Sequence, residues 1–493
     1  MPEALNPVGG SVNLGRIRLR TPGLQGTAEI HQPATSGSRS AAQSTSDLDE
    51  ALRNEGVRAA ETIELRNTRE VPTGGAGTRS TSYGKPAIEL DVPAPGEKWG
   101  QVVLAIDESG VVTWNFPVAT TGQTGATRGG TGGVQTYVIR RYVPETPAAP
   151  GSRGIVGAIG KKVLKVLVFP LVEDVAGEVG DYFAHRWEQK KRPYRVRAFG
   201  PDDYQTPDAD IIDGGGWERL SSGRSLLLVH GTFSRAHTGF GGFERETIAE
   251  LHRRYEGRVF AFDHFTLSED PRQNVDWLLG AIPDGTSLDL DVLCHSRGGL
   301  VSRVLAERQA ELSLGSRSLR VDKVVFAATP NGGTILADAE HHGALIDSVT
   351  NLLQFVPDNG VTEVLETVIT VAKHIAVGAA KGLEGLESMR PGGPFIKALN
   401  AGPKGDTAYF ALASNFEPTN HGWQVFAKDR LMDALFNKEN DLVVPTGGVH
   451  EANDSGCFPI ADPLVFARAD GIGHSDFFRK REAVDKILAW LQP

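Results

Sequence analysis

LDVLCHSRGGLVSRVL, residues 290–305, decides the reading of this chain. An apolar, β-branched run stops at Ser296, and the pair Gly298-Gly299 opens an amphipathic stretch of helical period. A strand that turns sharply into a helix at a Ser exposes the hydroxyl at the end of a sheet. The turn is tight enough to require small residues two before and two after it. Gly298 meets the second requirement, and Cys294 stands where Gly is usual. Ser296 is therefore a candidate nucleophile, set against the plainer reading of a Ser in an ordinary turn.

A Ser hydroxyl is a weak nucleophile and needs a base, which in turn needs an orienting acid. On a strand–elbow–helix scaffold the chain order is Ser, then Asp or Glu, then His. Asp441 in NKENDLVVP precedes a short apolar run read as a strand, and His474 in DGIGHSDFF follows the last apolar run. Glu439 competes for the role of acid, and Asp476 follows His474, in the wrong order. VHGTFS at 229–234 reads as a strand ending in a loop that can hold an oxyanion, with the Thr232 and Arg297 N–H groups as donors. His230, Phe233 and His295 are the expected pocket residues, His230 serving also to brace its loop.

The surrounding rhythm supports this placement. From residue 222, strand-like runs (SLLLVHG, RVFAFDHF, SLDLDVLCHS, VDKVVFAATP, DTAYFALAS, PLVFARADG) alternate with helical ones (FERETIAELHRRY, PRQNVDWLLGAI, KREAVDKILAWLQ). Repeated β–α units imply an α/β fold, a mostly parallel sheet with helices on both faces. The pieces VHGTFS, CHSRGG, ATPNGGT, NDLVVP and GHSDFF together give residues 225–492 a resemblance to the α/β-hydrolase superfamily. Within it they are similar to the lipase branch that includes bacterial triacylglycerol lipases and GPI inositol-deacylase-like proteins. The departures are Cys294 for Gly and Asn331 for the usual His. The resemblance implies an α/β-hydrolase fold with a helical cap, an ester-cleaving Ser296–Asp441–His474 triad acting through an acyl-enzyme, and no cofactor or metal.

Outside that region the chain changes character. Residues 1–60 are rich in small and polar residues and read as a disordered tail with one short helix near SDLDEALRNEGV. Residues 61–148 carry short β-rich runs and read as a small all-β module. Residues 149–205 read as a helical connector, and 206–493 as the hydrolase domain with a cap inserted at about 334–402. In that insertion Val361, Val364, Leu365, Val368, Ile369, Val371, Ala372 and Ile375 cover most of a helix, which suits a lid; GGPFIKAL would add to an acyl pocket.

With 493 residues, 40% hydrophobic and 23% charged, the chain has the composition of a globular protein, and its net charge of -10 speaks against binding nucleic acid through an overall positive field. Two cysteines form no disulfide framework or zinc pattern. No secretory signal or membrane-spanning run is read, so the expected location is cytoplasmic, with RWEQKKRPYRVR leaving room for peripheral contact with a lipid interface. The expected substrate is an apolar ester, and the β module is the expected seat of any protein partner. Two other readings stay open: a recruited effector or scaffold with a gated or inactive hydrolase fold, and an amidase or peptidase using the same triad.

Overall fold

The computed structural model of the chain describes residues 1–31, 44–71, 87–108, 110–118, 133–140, 158–159, 161–171, 180–353, 360–378, 383–402, 404–416, 439–451 and 460–493. They fall into two compact units. One takes the described parts of Met1–Glu178 together with Leu365–Ala380. The other takes those of Val179–Val364, Lys381–Glu417 and Leu431–Pro493.

The second unit is built on a sheet of strands in the spatial order Arg195–Ala198, Val259–Asp263, Arg224–Val229, Ser287–His295, Ser318–Ala327, Ala408–Ser414, Leu464–Phe466. The edge strand Arg195–Ala198 is antiparallel and every other pairing is parallel. This is the doubly covered sheet that the alternation of runs predicted. Its inner strands are apolar on both faces because helices cover both: Leu226, Leu227, Leu228, Val292 and Leu293 are fully buried. Burying each such side chain contributes about 1.5–3 kcal/mol. The helix Pro271–Ala281 begins where Asp270 and Gln273 cap each other's backbone N–H groups, with Pro271 in the first turn. Parallel strands bring their C-terminal ends to one edge, and the loops after Val229, His295 and Phe466 emerge there.

The first unit carries two antiparallel sheets whose inner faces share one core, among them Leu19, Ile63, Leu90, Val103, Tyr137 and Leu164. It begins much earlier than expected. Residues 1–31, read as part of a disordered tail, contain the strands Glu3–Ala4, Ser11–Leu14, Ile17–Arg20 and Leu24–His31. Most of the few large apolar groups there serve the core: Leu5, Leu14, Ile17, Leu19 and Leu24 are buried, while Met1 and Val8 stay exposed. The helical connector also needs correction, since Lys162–Pro170 is a strand paired on both sides, to Arg58–Glu70 and to Trp99–Asp107. Both faces are buried from Val166 to Phe169, so its apolar residues run together there and lose the alternation that marks a strand. The helix Gly180–Lys191 is present.

The expected lid divides. Val361 and Val364 belong to the second unit, whereas the helix from Leu365 onward belongs to the first. There Val368, Ile369, Val371 and Ala372 are almost fully buried, Asn54 donates to Glu366 at 2.8 Å, and Lys373 pairs with Glu55 at 2.9 Å. Most of this apolar surface thus lies on a stretch that groups with the first unit. No helix among the described residues is long and apolar enough to cross a membrane.

Candidate active site

Ser296 has a φ of +51°, a left-handed conformation costly for a residue with a side chain. The turn survives because the backbone is packed to the limit around it. A Cβ on Gly298 would lie 2.2 Å from the Val229 carbonyl oxygen, and one on Gly231 would lie 2.7 Å from the Ser296 Cβ. The Ser296 N–H donates to the Ala327 carbonyl at 2.8 Å, which ties the turn to the adjacent strand. Cys294 sits within the strand, fully buried, with its thiol toward the Val325 carbonyl at 3.3 Å. Burial pushes that thiol up to about 12, so it stays protonated and inert.

The three residues proposed from chain order meet in space. His474 Nε2 lies 3.0 Å from Ser296 Oγ, and His474 Nδ1 lies 2.8 Å from Asp441 Oδ2. All three side chains are buried. The second carboxylate oxygen of Asp441 accepts the N–H groups of Val443 (2.9 Å) and Val444 (2.7 Å). These bonds fold DLVVP into a tight turn where a strand was expected, because the Asp side chain takes donors that a strand would give to its neighbour. Glu439 is exposed, and among the described residues only its carbonyl is engaged, by Thr446 N–H at 2.8 Å. Asp476 accepts from Gly473 N–H at 3.0 Å and makes no bond to His474 among the described residues.

Neither the Thr232 N–H nor the Arg297 N–H donates to a protein acceptor among the described residues. The Arg297 side chain anchors the latter. It is wholly buried and donates to the Gly385 carbonyl and Asn274 Oδ1, each at 2.9 Å, and to the Glu269 carbonyl. Burial lowers the guanidinium to about 10, still a cation at neutral pH.

The cavity over Ser296 holds about 90 Å³. Leu345, Val349 and Leu352 line it, with Val361, Val364, Val443 and Val444. Phe233 and His295 line it as expected, and GGPFIKAL does not; Met389 is there instead. His230 does not line it either. Its ring stacks on His264 with centroids 4.2 Å apart, its Nε2 accepts the His264 N–H at 3.1 Å, and burial lowers it to about 3. It is a neutral brace, and an adjacent His was the missing signal, because His264 lies 34 residues on in the chain. His295 donates Nε2–H to the His474 carbonyl at 2.9 Å; burial, then the nearby His474, lowers it to about 3, so a neutral ring holds the His474 backbone. Among the described residues no group of three or more His, Cys, Asp or Glu side chains is placed to hold a metal ion.

The first turn of the helix Val361–Ala376 is pinned beside this cavity. Glu363 pairs with Arg235 at 2.6 Å and His237 at 2.9 Å, and Arg192 donates to its carbonyl.

A family model described as a domain of unknown function (DUF7379) matches residues 191–492. A search of curated proteins finds no match to the chain. Among solved structures, lipase 1 from Pelosinus fermentans is 13% identical, overlapping 54% of this chain and 97% of its own with a TM-score of 0.36. The enol-lactonase from Burkholderia xenovorans LB400 is 14% identical, overlapping 61% and 96% at 0.31. A hydrolase from Oleispira antarctica is 13% identical, overlapping 61% and 94% at 0.33.

Proposed function

The chain belongs to the DUF7379 family, and we propose that it is a serine hydrolase cleaving carboxylic esters of small or apolar acyl groups. The observation that carries this reading is the unbroken line from Ser296 Oγ to His474 Nε2 (3.0 Å) and from His474 Nδ1 to Asp441 Oδ2 (2.8 Å), at a Ser held in a left-handed turn. In this reading Ser296 attacks the acyl carbonyl while His474 takes its proton. The Thr232 and Arg297 N–H groups then stabilise the oxyanion; such donors are worth about 2.7–4 kcal/mol each. Asp441 orients the ring and stabilises the imidazolium. His474 returns the proton to the leaving alcohol, and water releases the acyl group by the same steps in reverse order.

The apolar lining of the cavity and its modest volume favour an acyl chain over a peptide. The complete Ser–His–Asp arrangement favours an active enzyme over a scaffold. The test is labelling of the full chain with a fluorophosphonate, followed by p-nitrophenyl esters of increasing acyl length. Labelling at Ser296 with turnover of short and medium esters is expected. Failure of both would sink the reading, and cleavage of anilides in preference to esters would move it to an amidase.

A further inference from the structure

The lining of the cavity over Ser296 is buried or half-buried at every residue but two, Ser475 and Arg479. These two therefore mark its solvent-facing rim. Both lie on the loop that carries His474, one and five residues after it. In the ester-cleaving reading, on which this inference rests, His474 hands its proton to the departing alcohol. The alcohol therefore leaves past the His474 loop, while the acyl group occupies the apolar interior formed by Leu345, Val349 and Leu352.

Arg479 is placed to act on that alcohol. Its stem lies over Gly242, where a Cβ would come within 3.1 Å of Arg479 Cγ, so the side chain is guided along the cavity wall. Its guanidinium donates no hydrogen bond to protein among the described residues, and its ion-pair contact is Asp476 Oδ1 at 3.8 Å. The other oxygen of Asp476 is already committed to Gly473 N–H. Among the described residues no Asp or Glu lines the cavity, in a chain whose net charge is -10. The rim thus presents a guanidinium whose ion pair is long and whose five N–H groups are open to an oxyanion, with Ser475 on the same loop.

We propose that Arg479 is a specificity-determining residue that selects esters whose leaving alcohol carries an anionic group, a carboxylate or a phosphate.

The test compares 4-carboxyphenyl butyrate with 4-carbamoylphenyl butyrate, equal in acyl group and shape and different in charge. The wild-type chain is expected to favour the anionic ester, mainly through KM. In Arg479→Gln the ratio of kcat/KM for the two esters should fall about tenfold, equivalent to about 1.4 kcal/mol. Arg479→Lys should retain part of it, and 0.5 M salt should reduce it in the wild type as screening requires. Release of fatty acid from phosphatidylglycerol vesicles separates the two sources of such an anion. Arginine dependence for the soluble pair alone supports a small anionic ester, and the same dependence on vesicles supports a lipid headgroup. An unchanged ratio in Arg479→Gln, or a wild type that prefers the neutral ester, overturns the proposal. Should Arg479→Gln not fold, inhibition of the wild type by 4-hydroxybenzoate against 4-hydroxybenzamide makes the same comparison, and equal inhibition overturns it. If neither ester is cleaved and Ser296 resists the fluorophosphonate, the hydrolase reading itself fails and the proposal falls with it.

Discussion

The segment Ser287–Glu307 and the helix Val361–Ala376 are both rich in apolar residues and both largely buried, for different reasons. In the first, burial follows from backbone geometry. A strand ends, Ser296 takes a φ of +51°, and Gly298 passes so close to the Val229 carbonyl that no side chain fits. Each of these demands leaves a mark at a fixed position in the sequence. In the second, burial follows from a partner. Val368, Ile369, Val371 and Ala372 need something to cover them, and their stretch of helix groups with the unit that holds Met1–Glu178. An apolar helix face states that it is buried and is silent about what buries it. A lid and a core helix therefore carry the same pattern, and only the first turn of this one, at Val361 and Val364, reaches the cavity.

Replacement of Ser296 is the sharpest way to break the first half of this comparison. Ser296→Ala should abolish fluorophosphonate labelling and lower kcat by on the order of 10⁶, the scale seen when a triad Ser is removed elsewhere. Its melting temperature should change little, because the turn is held by the backbone bonds to Ala327 and from Gly299. Substantial esterase activity in this variant would remove Ser296 from the mechanism. Asp441→Asn should cost about 10⁴ in kcat, since the amide cannot hold the His474 tautomer. Glu439→Gln, outside the network and exposed, should cost less than twofold. Steady-state kinetics of the pair decides which residue is the acid, and the opposite ranking would transfer that role to Glu439.

The same contrast explains what could be read before the structure. The parallel sheet, the turn at Ser296 and the meeting of Ser296, Asp441 and His474 were legible because each rests on a local rule of spacing or chain order. Three features were not. The strand Lys162–Pro170 resembled a helix because both its faces are buried from Val166 to Phe169. The strands of residues 1–31 resembled disorder because five leucine and isoleucine side chains serve a core supplied largely by other segments. His230 resembled a pocket residue because its stacking partner, His264, is distant in sequence and near in space. In each case the missing information was a contact between residues far apart in the chain.

Val368→Asp tests the second half of the comparison. Val368 is fully buried, and an unpaired carboxylate there should destabilise its unit by about 3–5 kcal/mol. Calorimetry of the full chain should show the loss. A lid would behave differently: stability would hold, and only activity on aggregated long-chain esters would drop. That outcome would return the whole helix to the role of cover over Ser296.

The smallest expected effect lies where the helix divides, at Glu363. Burial by itself would raise this carboxyl, but the hydrogen bond to His237 and the charges of Arg192 and Arg235 outweigh it and hold the group well below the usual carboxylate range. A carboxyl whose folded value is depressed contributes stability that is present above its unfolded value of about 4.3 and is lost as pH falls toward the folded one. Glu363→Gln should therefore lower the unfolding free energy by about 1–2 kcal/mol at pH 7, a figure discounted for the partial exposure of the group. The deficit should shrink steadily below about pH 4, where the carboxyl of the unfolded wild-type chain begins to take up its proton while the folded one stays ionised. Denaturant titrations of both chains at several pH values would measure it. Because Gly360, Val361 and Val364 line the cavity on either side of this residue, the variant should also turn over short esters with an altered KM. A variant with a pH-independent deficit would mean that Arg192, Arg235 and His237 find no use for this carboxylate. The first turn of the helix would then be held against the cavity by its valines alone.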